Sequence, residues 1–126
     1  MPLVTLTVVR PKSVEFKDSV LKAVHEALVA IGVPGADRFH RVLELPPEDF
    51  RFDSAYPDVQ GERTEDFILI EILLSAGRSV KVKRQFLDRL VAGLAEAGHD
   101  PENAMVVFKE TTWENWAFAG GRQIHV

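Results

Sequence analysis

Apolar positions along the chain follow two spacings, and the switches between them mark out the elements. Leu3 to Val9 is a run of Val, Leu and Thr whose branched side chains suit a pleated strand. From Val14 the apolar residues recur at helical spacing, through Val20, Leu21, Val24, Ala27, Leu28 and Ile31. Arg10-Pro11-Lys12-Ser13 is the turn between them. Ser13 is placed to cap the helix, and Glu15 lies in the first turn, where the helix dipole favours an acid. Gly32 ends the helix, and Pro34 lies just beyond. Phe39 to Leu45 reads as a second strand, stopped by Pro46-Pro47.

The second half runs through the same elements. Phe67 to Leu74 is an apolar strand, and Gly77-Arg78-Ser79 is a turn with a cap at Ser79. Helical spacing returns at Val80, Phe86, Leu87, Leu90, Val91 and Leu94. Gly98 and Pro101 end it, and Ala104 to Glu110 closes the unit as a strand. Sliding the chain by the separation of Ser13 from Ser79 overlays the halves without a gap. Leu3 then falls on Leu69, Lys17 on Lys83, Leu21 on Leu87, Leu28 on Leu94, Gly32 on Gly98 and Glu44 on Glu110. Strand core, cap, helix core and helix stop all coincide, which reads as a duplicated β-α-β unit.

Within each unit the two strands should be parallel, with a right-handed crossover. The predicted fold class is α+β, two layers: a four-stranded sheet with both helices on one face. The other sheet face is left bare, although Phe67 to Leu74 is apolar enough to be buried on both sides. A bare apolar face predicts self-association. Residues 47–66 form a long connection with Phe50, Phe52 and Tyr56 among Asp, Pro, Gly and Arg. A loop of that length is either functional or a flap anchored by its aromatics. The tail carries Trp113, Trp116 and Phe118 before Gly120-Gly121, and Ile124 to Val126 is apolar enough to add a short strand to a neighbour.

Composition narrows the picture. The 126 residues predict a single domain, with repeat units at about 2–46 and 67–112. Fifteen basic against nineteen acidic side chains leave a net charge of −4, which disfavours nucleic acid as a partner. There is no cysteine, which removes disulfides, thiolate nucleophiles and thiolate metal sites, and suits a reducing cytoplasm. No apolar run is long enough to predict a membrane partner, and the start of the chain lacks the pattern of a secretion signal. The histidines, His25, His40, His99 and His125, show no ligand spacing, so no metal is expected. His25 and His99 read as surface residues. No glycine-rich phosphate loop is present, and no cofactor is expected.

Several segments, in order, resemble the tautomerase superfamily, most closely its malonate semialdehyde decarboxylase-like branch. They are Met1-Pro2-Leu3, Gly32 to Phe39, Glu62-Arg63-Thr64, Gly77-Arg78-Ser79 with Lys83, and Trp116 to Gly121. The resemblance covers nearly the whole chain. It implies a homotrimer in which Pro2, exposed once Met1 is removed, is the catalytic amine. It also implies a role for Asp37, which matches the aspartate after the first helix. Two arginines near the end of the third strand handle the substrate's carboxylate and carbonyl in the decarboxylase. Arg78 matches the second, whereas the first falls on Ala76. The tail aromatics, in this chain Trp116 and Phe118, are implied to wall the pocket.

The chemistry of these residues fits that implication. A free proline nitrogen is a secondary amine, and burial or nearby cations lower its pKa toward neutrality, where it can take up or give a proton. Arg78 sits at a strand-to-helix turn, suited to gripping a carboxylate. Lys12 occupies the equivalent place in the first unit. Asp37 either orients the amine or caps the turn beside Arg38. Arg63 either reaches the pocket or pairs with Glu62 or Asp66. The expected activity is cofactor-independent keto–enol tautomerisation of small 2-oxo or enol acids. The alternatives are decarboxylation or hydration of the malonate semialdehyde type, and a non-catalytic trimeric binding module.

Overall fold

The computed structural model describes residues 1–126. The elements are β1 (Leu3–Val9), α1 (Val14–Ala30), β2 (His40–Leu45), β3 (Ile68–Ser75), α2 (Val80–Glu96) and β4 (Ala104–Thr111). Single 3₁₀ turns lie at Pro47–Asp49, Pro101–Asn103 and Trp113–Asn115. Strand limits differ from the sequence reading by only a residue or so.

The two helices start and stop by the same means. Ser13 Oγ accepts from the Phe16 N–H at 3.0 Å and Ser79 Oγ from the Val82 N–H at 3.2 Å. Each cap contributes about 1 kcal/mol by satisfying an orphan donor. Beyond each helix, Gly32 and Gly98 take φ values of 105° and 88°, which other residues adopt only with strain.

The sheet order is β2-β1-β3-β4. β1 and β2 are parallel, β3 and β4 are parallel, and β1 runs antiparallel to β3. In that central pairing Thr5 faces Glu71, its own counterpart in the repeat. A pseudo-twofold axis therefore passes between them and relates the two β-α-β units. The overlay of Lys17 with Lys83 and Glu44 with Glu110 becomes a repeated ion pair: Lys17 binds Glu44 and Lys83 binds Glu110.

Both helices cover one face. Val4, Leu6 and Val8 from β1 and Ile68, Ile70, Ile72 and Leu74 from β3 meet Val20, Val24 and Leu28 of α1 and Phe86, Leu90 and Leu94 of α2. Each such side chain, fully removed from water, contributes roughly 1.5–3 kcal/mol. Strand alternation sends Leu3, Thr5, Leu43, Leu45, Leu69, Glu71, Leu73 and Met105 to the opposite face. Leu43 and Met105 are exposed there. A polar centre interrupts this apolar face: Arg41 Nε donates to Thr5 Oγ1 at 2.8 Å, and Lys109 pairs with Glu71 at 2.6 Å.

The connection at 47–66 is tied down by aromatics. The Phe67 ring centroid lies 4.4 Å from that of Phe52 and 5.6 Å from that of Phe50. Ile124 to Val126 forms no strand within the chain. Gly120 and Gly121, both at positive φ, turn the tail back, and Gln123 Nε2 donates to the Glu114 carbonyl at 2.8 Å. No helix is long and apolar enough to cross a membrane.

Candidate active site

Antiparallel pairing of β1 with β3 sets Leu3 opposite Leu73, so the start of the chain lies beside the turn that carries Arg78. The segment after α1 closes the same corner, because the Val4 N–H donates to the Phe39 carbonyl at 2.9 Å. The result is a cleft of about 520 Å³. Met1, Asp37 and Arg78 are its polar lining from these three segments. Val33, Pro34 and Phe39 form an apolar wall, and Trp113 and His125 approach from the tail.

The Met1 nitrogen stands 3.9 Å from Asp37 Oδ2. In this chain Pro2 is buried and its nitrogen is an amide; the Met1 amine lies one residue further out. Burial pushes that amine below its usual pKa of 8.0, Asp37 pulls it back up, and the Arg78 guanidinium pushes it down again. The corner thus favours an uncharged amine by desolvation and steadies a charged one through Asp37. Asp37 Oδ1 is buried without a hydrogen-bond partner. Unsatisfied buried polar atoms are rare, and they gather at functional positions. Arg78 makes one long bond, Nη1 to the Ser75 carbonyl at 3.3 Å, which leaves most of its fork of donors free.

The remaining residues singled out in the sequence fall elsewhere. Trp116 and Phe118 stack on each other at 5.7 Å and do not line this cleft within the chain. They form a second row: Phe118 meets the His125 ring at 5.8 Å, and His125 lies 4.3 Å from Trp113. Arg63 is held in the 47–66 connection, where Nη1 donates to the carbonyls of Asp53 and Tyr56 and the guanidinium lies over Phe67 at 5.4 Å. It does not meet Arg78 or Asp37 in one chain.

The pseudo-twofold axis generates a second corner with different contents. Lys12, the counterpart of Arg78, lies 5.6 Å from the Phe16 ring centroid and pairs with Asp66 at 3.5 Å. Asn103, the counterpart of Asp37, exchanges hydrogen bonds with Thr64 at 2.9 and 3.1 Å. Phe67 stands where Met1 stands in the first corner, in mid-chain.

The histidines correct the sequence reading. His25 is buried, because the loop after α1 folds over it, and its ring contacts His40 at 5.6 Å. His99 is half-buried, with Nε2 2.7 Å from Ser19 Oγ. No group of three His, Asp or Glu side chains could hold a metal ion. Sequence reasoning missed Phe39 and His125 as lining groups. The aromatic density of the tail pointed to Trp113 together with Trp116 and Phe118, as pocket wall or subunit contact, but nothing in the order of residues marked His125.

The family model described as tautomerase enzyme matches residues 37–119, more than half of the chain. Comparison with curated proteins finds no match. Among solved structures, malonate semialdehyde decarboxylase FG41 inhibited by 3-bromopropiolate superposes with a TM-score of 0.88 at 23% identity. The match covers 98% of this chain and 93% of that one. A second malonate semialdehyde decarboxylase, whose crystal structures address its decarboxylase and hydratase activities, gives a TM-score of 0.86 at 25% identity, covering 96% and 93%. A fused 4-OT that forms a symmetric trimer gives 0.70 at 24%, covering 95% and 94%. By its matched family, its repeated β-α-β fold and the convergence of its chain start with Asp37 and Arg78, this chain belongs to the tautomerase superfamily.

Proposed function

We propose that the chain is a cofactor-independent keto–enol tautomerase of small 2-oxo or enol acids, working after Met1 is removed. The observation that carries this reading is the meeting of chain start, Asp37 and Arg78 in one cleft with an apolar wall. With Met1 gone, the Pro2 nitrogen is a secondary amine at this corner. Uncharged, it takes the enol O–H proton and delivers it to the neighbouring carbon, so the enol becomes the ketone with no net proton change. Arg78 holds the substrate carboxylate or polarises the carbonyl. Asp37 steadies the ammonium formed midway. Trp113 and Phe39 exclude water, and Trp116 and Phe118 support the wall from behind. The bare sheet face suits assembly as a homotrimer.

A second reading has a specific observation behind it. Asp37 keeps one buried oxygen without a partner, which suits holding a water near the amine. That arrangement serves hydration or decarboxylation of a 3-oxo acid. Against it, Ala76 supplies no second cation beside Arg78.

Mass spectrometry of the mature protein and the Pro2→Ala variant test the proposal together. Loss of Met1 and abolished ketonisation of phenylenolpyruvate are expected. Unchanged turnover in the variant removes Pro2 from the chemistry, and carbon dioxide release from malonate semialdehyde favours the second reading.

A further inference from the structure

The segment that carries Asp37, residues 31–39, has no strand or helix of its own to fix it. Its start is held to the end of α1 by the N–H groups of Ile31, Gly32 and Val33 and by Val33 in the core, but from Pro34 onward its backbone bonds are Asp37 N–H to the Pro34 carbonyl and Arg38 N–H to the Ala36 carbonyl, plus the link from Val4 to Phe39. A single side-chain hydrogen bond ties it to the body: His25 Nε2, from the middle of α1, lies 3.0 Å from the Gly35 carbonyl oxygen. A carbonyl only accepts, so Nε2 carries the hydrogen and Nδ1 is the bare lone pair. Nδ1 is buried with no partner, and the residue keeps only 6% of its surface exposed. A leucine would fill this site at lower desolvation cost, so packing does not account for the imidazole.

We infer that His25 is a positioning residue: by holding Gly35 it sets the Asp37 carboxylate against the N-terminal nitrogen. The inference rests on the tautomerase reading of that corner. It extends the working group to a helix position outside the cleft, since His25 does not line it.

His25 faces His40 on β2, and Lys22, Glu26 and Asp18 of α1 and Arg38 share the hollow beside them. His40 is held below its usual pKa by burial, and then by His25 and Arg38. On the cleft side, the amine faces Asp37 and Arg78, with His125 on the same wall.

The test reads the pKa of the N-terminal nitrogen directly, by ¹⁵N NMR of the mature protein, alongside kcat and KM for phenylenolpyruvate. His25→Leu should lower that pKa by roughly half a unit, because Asp37 drifts from the ammonium it stabilises. It should also lower kcat by up to roughly tenfold with KM little changed. His25→Gln, whose amide can reach Gly35, should restore both. In an Asp37→Asn background, His25→Leu should add no shift. A pKa unmoved by His25→Leu, or moved equally without Asp37, overturns the inference. Should His25→Leu fail to fold, His25→Gln and His25→Asn remain to be compared, and identical pKa values in both overturn it equally. Absent turnover in the parent protein would refute the tautomerase reading alone, since the NMR shift reports the positioning separately.

Discussion

Replacing Arg78 with alanine tests the recognition half of the proposed chemistry. The guanidinium spends one Nη1 donor on the Ser75 carbonyl, at a distance near the limit of a hydrogen bond, so its remaining donors are free for a ligand. Hydrogen bonds to a charged partner contribute about 1.5–3 kcal/mol net, so the loss should be roughly 10- to 150-fold in kcat/KM. Arg78→Lys keeps the charge and loses the fork, and should fall between wild type and alanine. A second effect has a fixed sign. Arg78 helps depress the pKa of the Met1 amine, and its charge should act in the same sense on the Pro2 nitrogen once Met1 is gone, so its removal should move the acid limb of the rate profile to higher pH. The assay is ketonisation of phenylenolpyruvate followed by absorbance, with its methyl ester as the uncharged control. The alanine variant should lose far less against the ester. Equal losses on acid and ester, or an acid limb that stays in place, would refute the assignment of Arg78 to the carboxylate.

Three further outcomes follow from named contacts. Burial and Arg78 depress the Met1 amine, and the Pro2 nitrogen exposed at the same corner should feel the same influences, so activity carried by its free base should rise with pH to a midpoint below that of an unperturbed proline amine; Asp37→Asn should lower the midpoint further. Phe86 is fully buried and packs edge-on against Phe108 at 5.6 Å, so Phe86→Ala should cost about 3–5 kcal/mol. That corresponds to a fall in Tm of more than roughly 10 °C by calorimetry, and a much smaller one would contradict the packing described. Leu43 is exposed on the open sheet face, so Leu43→Asp should leave the single chain folded but dissociate the assembly in sedimentation; an unchanged mass would place the interface elsewhere.

Much of the fold was legible because it rests on local signals that repeat. Ser13 and Ser79 cap the helices, Gly32 and Gly98 follow their ends, and the gap-free overlay places both helices in register. The overlaid positions Lys17 with Lys83 and Glu44 with Glu110 form a repeated ion pair, which the overlay itself did not predict. The cleft was legible in part. Asp37 and Arg78 flank helices whose positions the pattern determines, so they arrive together once the sheet forms. Arg63 and the tail aromatics lie in segments without periodicity, where tertiary packing alone decides which ring faces the cleft and which stands behind. That is why Trp113 and His125 line the space expected for Trp116 and Phe118. His25 was misjudged for a related reason. Its place beside the apolar stripe of α1 says nothing of the loop that folds over it.

The unlike corners set a limit on how many reactive centres this architecture can offer. Halves related by a twofold would ordinarily present two matching sockets. Across the axis the place of the Pro2 nitrogen is taken by that of Ile68, which follows Phe67 in mid-chain and is tied into a peptide bond, while Asp66 neutralises Lys12 and Thr64 occupies Asn103. Covalent continuity alone bars a chain-terminal amine there, whatever side chains are substituted. On the proposed reading each copy brings one socket able to work and one plugged one, so substrate stoichiometry should equal the number of chains and not twice that number.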